Sequence, residues 1–180
     1  MPAAPAPSLS RQTLLPLMAN HVLEHGLSGL SLRPLAKAAG TSDRMLIYHF
    51  GSKDALVEAL LIYVADTYRA ALDAMVPPEP AATRHALAQQ MLVLARNPMF
   101  APFMKLWWEI VAGSAKGQAA WQRSAEAMMA TQIDWLEAHM PCDDPDPAGG
   151  ARQVAAVLEG ALMMDAIGLP QVGEAGLGVL

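Results

Sequence analysis

The sequence predicts an all-α protein, and three observations carry that expectation. Apolar residues recur at i, i+3, i+4 and i+7 along nearly the whole chain, the spacing that lines one side of a 3.6-residue helix. No run alternates convincingly between apolar and polar residues, as a half-buried strand would. Glycines and prolines gather in a few places and cut the periodic stretches into pieces of helix length.

Taken in order, the Pro/Ala-rich opening MPAAPAP predicts a disordered arm over residues 1–9. Helix 1 is expected near Ser10 to His25, stopped by Gly26. Pro16 lacks the N–H of a helix interior, so either the helix kinks there or it begins near Thr13. Helix 2 is expected from Leu32 to Ala39, with Ser31 as N-cap and Gly40 as C-cap. Helix 3 follows from about Ser42 to Phe50, where Gly51 ends it. Helix 4 runs from after Ser52 to about Met75, and Pro77, Pro78 and Pro80 mark a break. Three further helices are expected at 81–95, 102–112 and 118–139. The string PCDDPDPAGG reads as a loop, an eighth helix covers about Ala151 to Ile167, and the glycine-bearing tail QVGEAGLGVL has room for a short helix at most.

Composition narrows the class of molecule. With 180 residues, 53% hydrophobic and 16% charged, the chain is long enough and apolar enough to bury a core. Charges interrupt every apolar stretch, so no membrane partner is expected. No basic segment followed by an apolar one opens the chain, and a lone cysteine, Cys142, suits a reducing compartment; the expected location is the cytoplasm. The net charge of -5 hides an asymmetry. Residues 1–55 carry five basic side chains (Arg11, Arg33, Lys37, Arg44, Lys53) against three acidic ones (Glu24, Asp43, Asp54), a balance of +2, so the remainder holds -7. Such a split suits a small module that faces a polyanion and a larger one that does not.

The segment TSDRMLIYHFGSK, residues 41–53, concentrates that positive charge. On a helical wheel Thr41, Arg44, Met45 and Tyr48 fall within one arc of about 100°, with Leu46 and Phe50 nearly opposite. Leu46 and Phe50 are therefore expected to pack on helix 2, leaving Arg44 and Tyr48 to reach a partner. Asp43 sits in the first turn, where a carboxylate favours the helix N-terminus. Two short helices joined by GTS, with Gly40 able to take positive φ, describe a helix-turn-helix. His49, Lys53 and the N–H groups opening helix 4 add seats for phosphate.

The stretch GLSGLSLRPLAKAAGTSDRMLIYHFGSKDALVEAL, residues 26–60, resembles the DNA-binding domain of TetR-type transcriptional regulators, and the resemblance covers about the first third of the chain. It implies that Thr41, Arg44, Met45 and Tyr48 face base edges in a major groove while His49, Lys53 and Arg33 meet phosphates. One position departs from the family: Ile47 stands where tyrosine is common. The resemblance further implies a helix-turn-helix domain over 10–55, then a helical effector-binding and dimerisation domain over 56–180. The implied partners are a double-stranded DNA operator of two-fold symmetry, a second copy of the chain as a homodimer, and a small apolar or aromatic effector that releases a repressor.

Within the larger domain, Phe103, Met104, Trp107, Trp108, Met128 and Trp135 form an adaptable apolar set, with Glu109 as a possible polar anchor for the effector. A plain core accounts for the same residues. Val154, Val157, Leu158, Ala161 and Leu162 mix small and branched side chains and form the expected dimer face. The string HVLEH, residues 21–25, fits a zinc-hydrolase pattern with His21 and His25 as ligands and Glu24 as base, but no third ligand accompanies it. No metal, cofactor or catalytic residue is expected, and the chain is read as a regulator rather than an enzyme. The competing reading is a helical ligand carrier or protein-interaction module with a vestigial helix-turn-helix.

Overall fold

The structure, a computed structural model, describes residues 10–180; the arm expected at 1–9 lies outside the described residues. Among these the fold is all-α, with nine α-helices, a closing 3-10 turn and no strand. The helices are α1 (Arg11–His25), α2 (Leu32–Ala38), α3 (Asp43–Phe50), α4 (Lys53–Met75), α5 (Arg84–Ala95), α6 (Ala101–Ala115), α7 (Ala119–Ala138), α8 (Pro147–Ala166) and α9 (Pro170–Gly176). They divide into two compact units: the chain up to Tyr68 with Lys105–Ala125, and Arg69–Met104 with Glu126–Leu180. The division therefore differs from a cut at residue 55, because α4 continues as one helix well past it and a later segment joins the first unit.

Local chemistry explains how the first unit is built. Ser10 and Thr13 form a reciprocal capping box, so α1 begins at Arg11 and continues through Pro16. Its inward side buries Leu14, Met18 and Val22. At the end of α2, Gly40 takes φ +64°, Thr41 N–H reaches the Ala36 carbonyl at 2.9 Å and Gly40 N–H reaches that of Lys37 at 3.2 Å. This paired closure needs a left-handed residue at its centre, which glycine supplies without steric cost. Ser42 then caps α3 by accepting from Met45 N–H, and Ser52 accepts from Ala55 N–H at the start of α4. Leu35, Leu46, Phe50, Leu56 and Leu60 complete a core of fully enclosed side chains.

The second unit rests on α8, which packs against α5 and α9. Here α5 starts at Arg84 rather than 81, because Thr83 is its N-cap. The loop expected over PCDDPDPAGG is shorter than predicted: α8 begins at Pro147, capped by Asp146, whose carboxylate accepts from Gly149 N–H at 2.9 Å. The tail folds as expected into a short helix, and the 3-10 turn Leu177–Val179 buries Leu177.

Arg84 joins three of these pieces. Its guanidinium grips Asp144 at 2.7 and 2.6 Å and donates to Gln153 Oε1 at 2.8 Å. The paired hydrogen bond holds the Asp144 carboxyl well below the usual range, at about 2, and the side chain is almost wholly enclosed. A depressed pKa contributes stability that is present above the ordinary value of 3.8 and lost as pH falls toward about 2. Asp144→Asn is therefore expected to lower the thermal midpoint by a constant amount near neutrality. Melting curves from pH 7 downward should show the gap to wild type closing below pH about 4.

Candidate nucleic-acid interface

The residues of α3 separate into two sides. Leu46 and Phe50 are buried, whereas Tyr48 is 78% exposed and Arg44 is exposed beside it. Thr41 and Met45 are half-buried at the margin of that outer side. Lys53, the first residue of α4, and Arg33 on α2 are both exposed, so each cation is open to an anionic partner. The N-terminal turn of α4 adds the electropositive end of a 23-residue helix next to Lys53.

His49 departs from its expected role. Its Nε2 is buried with no hydrogen-bond partner among the described residues, so that atom is not offered to a phosphate. The ring instead meets Tyr48 edge-on, with centroids 5.2 Å apart and planes at 79°. Its carbonyl accepts from Arg11 Nε at 2.6 Å. Arg11, which sequence reasoning did not single out, also lies over the Phe50 ring at 5.3 Å from the centroid.

Glu109 is likewise reassigned. Its carboxylate accepts from Leu27 N–H at 2.7 Å and fills the space beside Gly26, so it holds the turn after α1 and is not a free anchor for a ligand. Trp135 is buried, donates from Nε1 to Asp73 at 2.7 Å and stacks on His139; it belongs to the core of the second unit. Phe103, Met104, Trp107, Trp108 and Met128 are all half-buried.

The expected dimer face is corrected too. Val154, Leu158, Ala161 and Leu162 are buried within the chain's own packing, and only Val157 of that set is half-exposed. A methyl group on Gly173 of α9 would stand 2.9 Å from Ala161 Cα, which shows how closely α9 covers that side of α8. The side left open carries Ala156, Gly160, Met163 and Ile167.

His21 and His25 lie one turn apart at the end of α1. Their rings stack on each other at 4.4 Å, and His25 Nδ1 lies 3.1 Å from the His21 carbonyl. Among the described residues no group of three or more His, Cys, Asp or Glu is placed to hold a metal ion. No helix among them is long and apolar enough to cross a membrane.

Comparison with known proteins places these observations. Residues 21–60 match the family described as bacterial regulatory proteins, tetR family. The HTH-type transcriptional regulatory protein RaaS of Mycobacterium tuberculosis is 27% identical over 140 residues, covering 78% of this chain and 63% of that protein, so the chain spans under two thirds of its relative's length. A crystal structure of a TetR-family transcriptional regulator from Rhodococcus sp. superposes with a TM-score of 0.68 at 22% identity, covering 94% of this chain and 95% of the other. A multidrug binding protein, EbrR, complexed with imidazole, gives 0.63 at 24% identity over 94% and 87% of the two chains. At such identities these two structures establish the shared fold.

Proposed function

The chain carries, over residues 21–60, the N-terminal domain of the bacterial regulatory proteins of the tetR family, and from that premise we propose that it is a repressor that binds a two-fold DNA operator as a dimer. The observation that carries this reading is the split character of α3, with Leu46 and Phe50 buried and Arg44 and Tyr48 turned outward. A helix held by one side and open on the other fits the width of a major groove. Arg44 is suited to guanine O6 and N7, and Tyr48, Thr41 and Met45 to the neighbouring base edges. Lys53 and Arg33 would sit on the flanking phosphates.

Two identical half-sites require two heads. The open side of α8 supports a pairing surface, since Ala156, Gly160, Met163 and Ile167 follow helical spacing i, i+4, i+7, i+11. Gly160 has open space beside it, so a partner helix can approach its backbone closely. This side replaces the one expected from sequence, which α5 and α9 cover. The releasing effector is read as a small apolar molecule, with half-buried Phe103, Met104 and Met128 of the second unit as candidate contacts. The fold shared with a multidrug binding protein supports that reading.

The test is enrichment of bound duplexes from a randomised pool by the purified protein, repeated with small aromatic compounds present. Recovery of a palindromic consensus supports the proposal; binding of aromatic compounds without duplex enrichment would favour a carrier. Two variants separate the contacts. Lys53→Ala is expected to weaken all duplexes alike and to lower the salt slope by about 0.9. Arg44→Ala should cost about 1–3 kcal/mol on the enriched duplex and relax preference at one base pair. Fluorescence anisotropy across a salt series reads both, and equal loss of selectivity in the two variants would refute the division of roles.

A further inference from the structure

The outer side of α3 carries Tyr48, a large side chain 78% exposed, on a helix of eight residues. Such a ring reads a groove reproducibly only if the short helix beneath it is fixed in angle and depth. Three contacts converge on that task at its C-terminal end.

We infer that Arg11 determines sequence selectivity from behind, as a positioning residue that braces the His49–Phe50 end of α3 and so sets the pose of Tyr48. The inference rests on the reading of α3 as a groove-reading helix. Arg11 is the first residue of α1, and the Ser10–Thr13 capping box fixes the backbone from which it projects. Its Nε–H donates to the His49 carbonyl at 2.6 Å. The last carbonyls of a helix lack intrahelical donors, and a cation there also complements the helix dipole. Meanwhile the guanidinium carbon stands 5.3 Å from the centre of the Phe50 ring, which is buried and cannot turn freely. His49 passes the restraint on: its Nε2 is enclosed, and its ring meets that of Tyr48 nearly at right angles, with centroids 5.2 Å apart.

The two contacts are made by different parts of one guanidinium, Nε–H to the carbonyl and the rest of the group beside the ring, whereas a lysine keeps the charge on a single terminal nitrogen with no donor at the Nε position. This separates bracing from charge. No described residue accepts from the Nη groups of Arg11, so a direct phosphate contact through them is the rival explanation, and it predicts a different result.

The experiment compares wild type, Arg11→Lys and Arg11→Gln on two labelled duplexes: one enriched from a randomised pool by the wild-type protein, and a scrambled duplex of the same composition. Both variants are expected to lose preference for the enriched duplex by about fivefold to tenfold, with little change on the scrambled one. Arg11→Lys should keep the wild-type salt slope. If Arg11→Gln instead weakens both duplexes equally and drops the slope by about 0.9 while Arg11→Lys restores them, Arg11 is a phosphate ligand and the brace is overturned. Wild-type selectivity in Arg11→Lys also overturns it. Arg11 is exposed, so both variants should keep the wild-type unfolding midpoint; should Arg11→Gln lower it, Arg11→Lys alone decides. Failure of the wild type to enrich any duplex removes the groove-reading function, and the brace with it, which distinguishes that failure from loss of the brace alone.

Discussion

Gly26→Ala is expected to lower the unfolding free energy by about 2–6 kcal/mol and to weaken duplex binding with it. Gly26 closes α1 at φ 80° and ψ -171°, a conformation that side chains rarely adopt. Holding alanine there costs about 1–3 kcal/mol. A methyl group would in addition collide with the Glu109 carboxylate. The colliding oxygen is Oε1, and moving it displaces the carboxylate whose Oε2 accepts from Leu27 N–H at 2.7 Å; loss of that bond leaves a partly enclosed donor unpaired, a further loss of about 1–3 kcal/mol. Glu109→Ala removes the second cost and none of the first. The double variant should therefore cost less than the sum of the two single ones, because the collision has vanished. Urea unfolding of the four proteins measures this, and strict additivity would show that Gly26 and Glu109 do not meet.

What could be read from the chain alone follows from the range of the forces involved. The C-terminal ends of α2 and α3 are decided locally, and Gly51 was legible as the stop of α3; α2 ends one residue earlier than expected, at Ala38, with Ala39 as C-cap and Gly40 the positive-φ residue just beyond it. The start of α8 was not legible, although Asp146 and Pro147 form an N-terminal signature. Two adjacent glycines read as a turn outweighed it. The structure gives each glycine a packing reason instead. A methyl group on Gly149 would run into the Asp146 carboxylate, and one on Gly150 would stand 2.8 Å from Arg84 Nε. The second reason comes from a residue on another helix, and no local pattern announces it.

Helical periodicity has a similar blind spot on α8. It shows that two sides are apolar or small, not which of them the rest of the chain will cover. Val154, Leu158, Ala161 and Leu162 looked like a surface for a second copy because nothing in the sequence says that α9 folds back onto them. The partners of His49 and Glu109 were hidden for the same reason, lying 38 and 82 residues away along the chain. The outward side of α3 was legible because its two sides differ within a single short helix.

Trp135 tests how far an apolar residue inventory can stand for a ligand site. An indole that lines a pocket can be truncated with little loss of stability, since a pocket already has empty space beside it. Trp135 is instead 7% exposed, and its ring stacks on His139 with centroids 3.8 Å apart and planes at 19°. His139 is itself tied in, because its Nδ1 lies 2.8 Å from the Trp135 carbonyl and its own carbonyl accepts from Ala81 N–H at 3.0 Å. The indole N–H meets Asp73 at 2.7 Å. Trp135→Ala is therefore expected to cost about 3–5 kcal/mol, the range for emptying an aromatic core site. Trp135→Phe retains most of the packing but cannot donate to Asp73, and should cost about 1.5–3 kcal/mol, the net worth of a hydrogen bond to a charged group. Denaturant unfolding at constant m-value checks both. A Trp135→Ala protein as stable as wild type, yet impaired in response to aromatic compounds, would return this residue to the effector site.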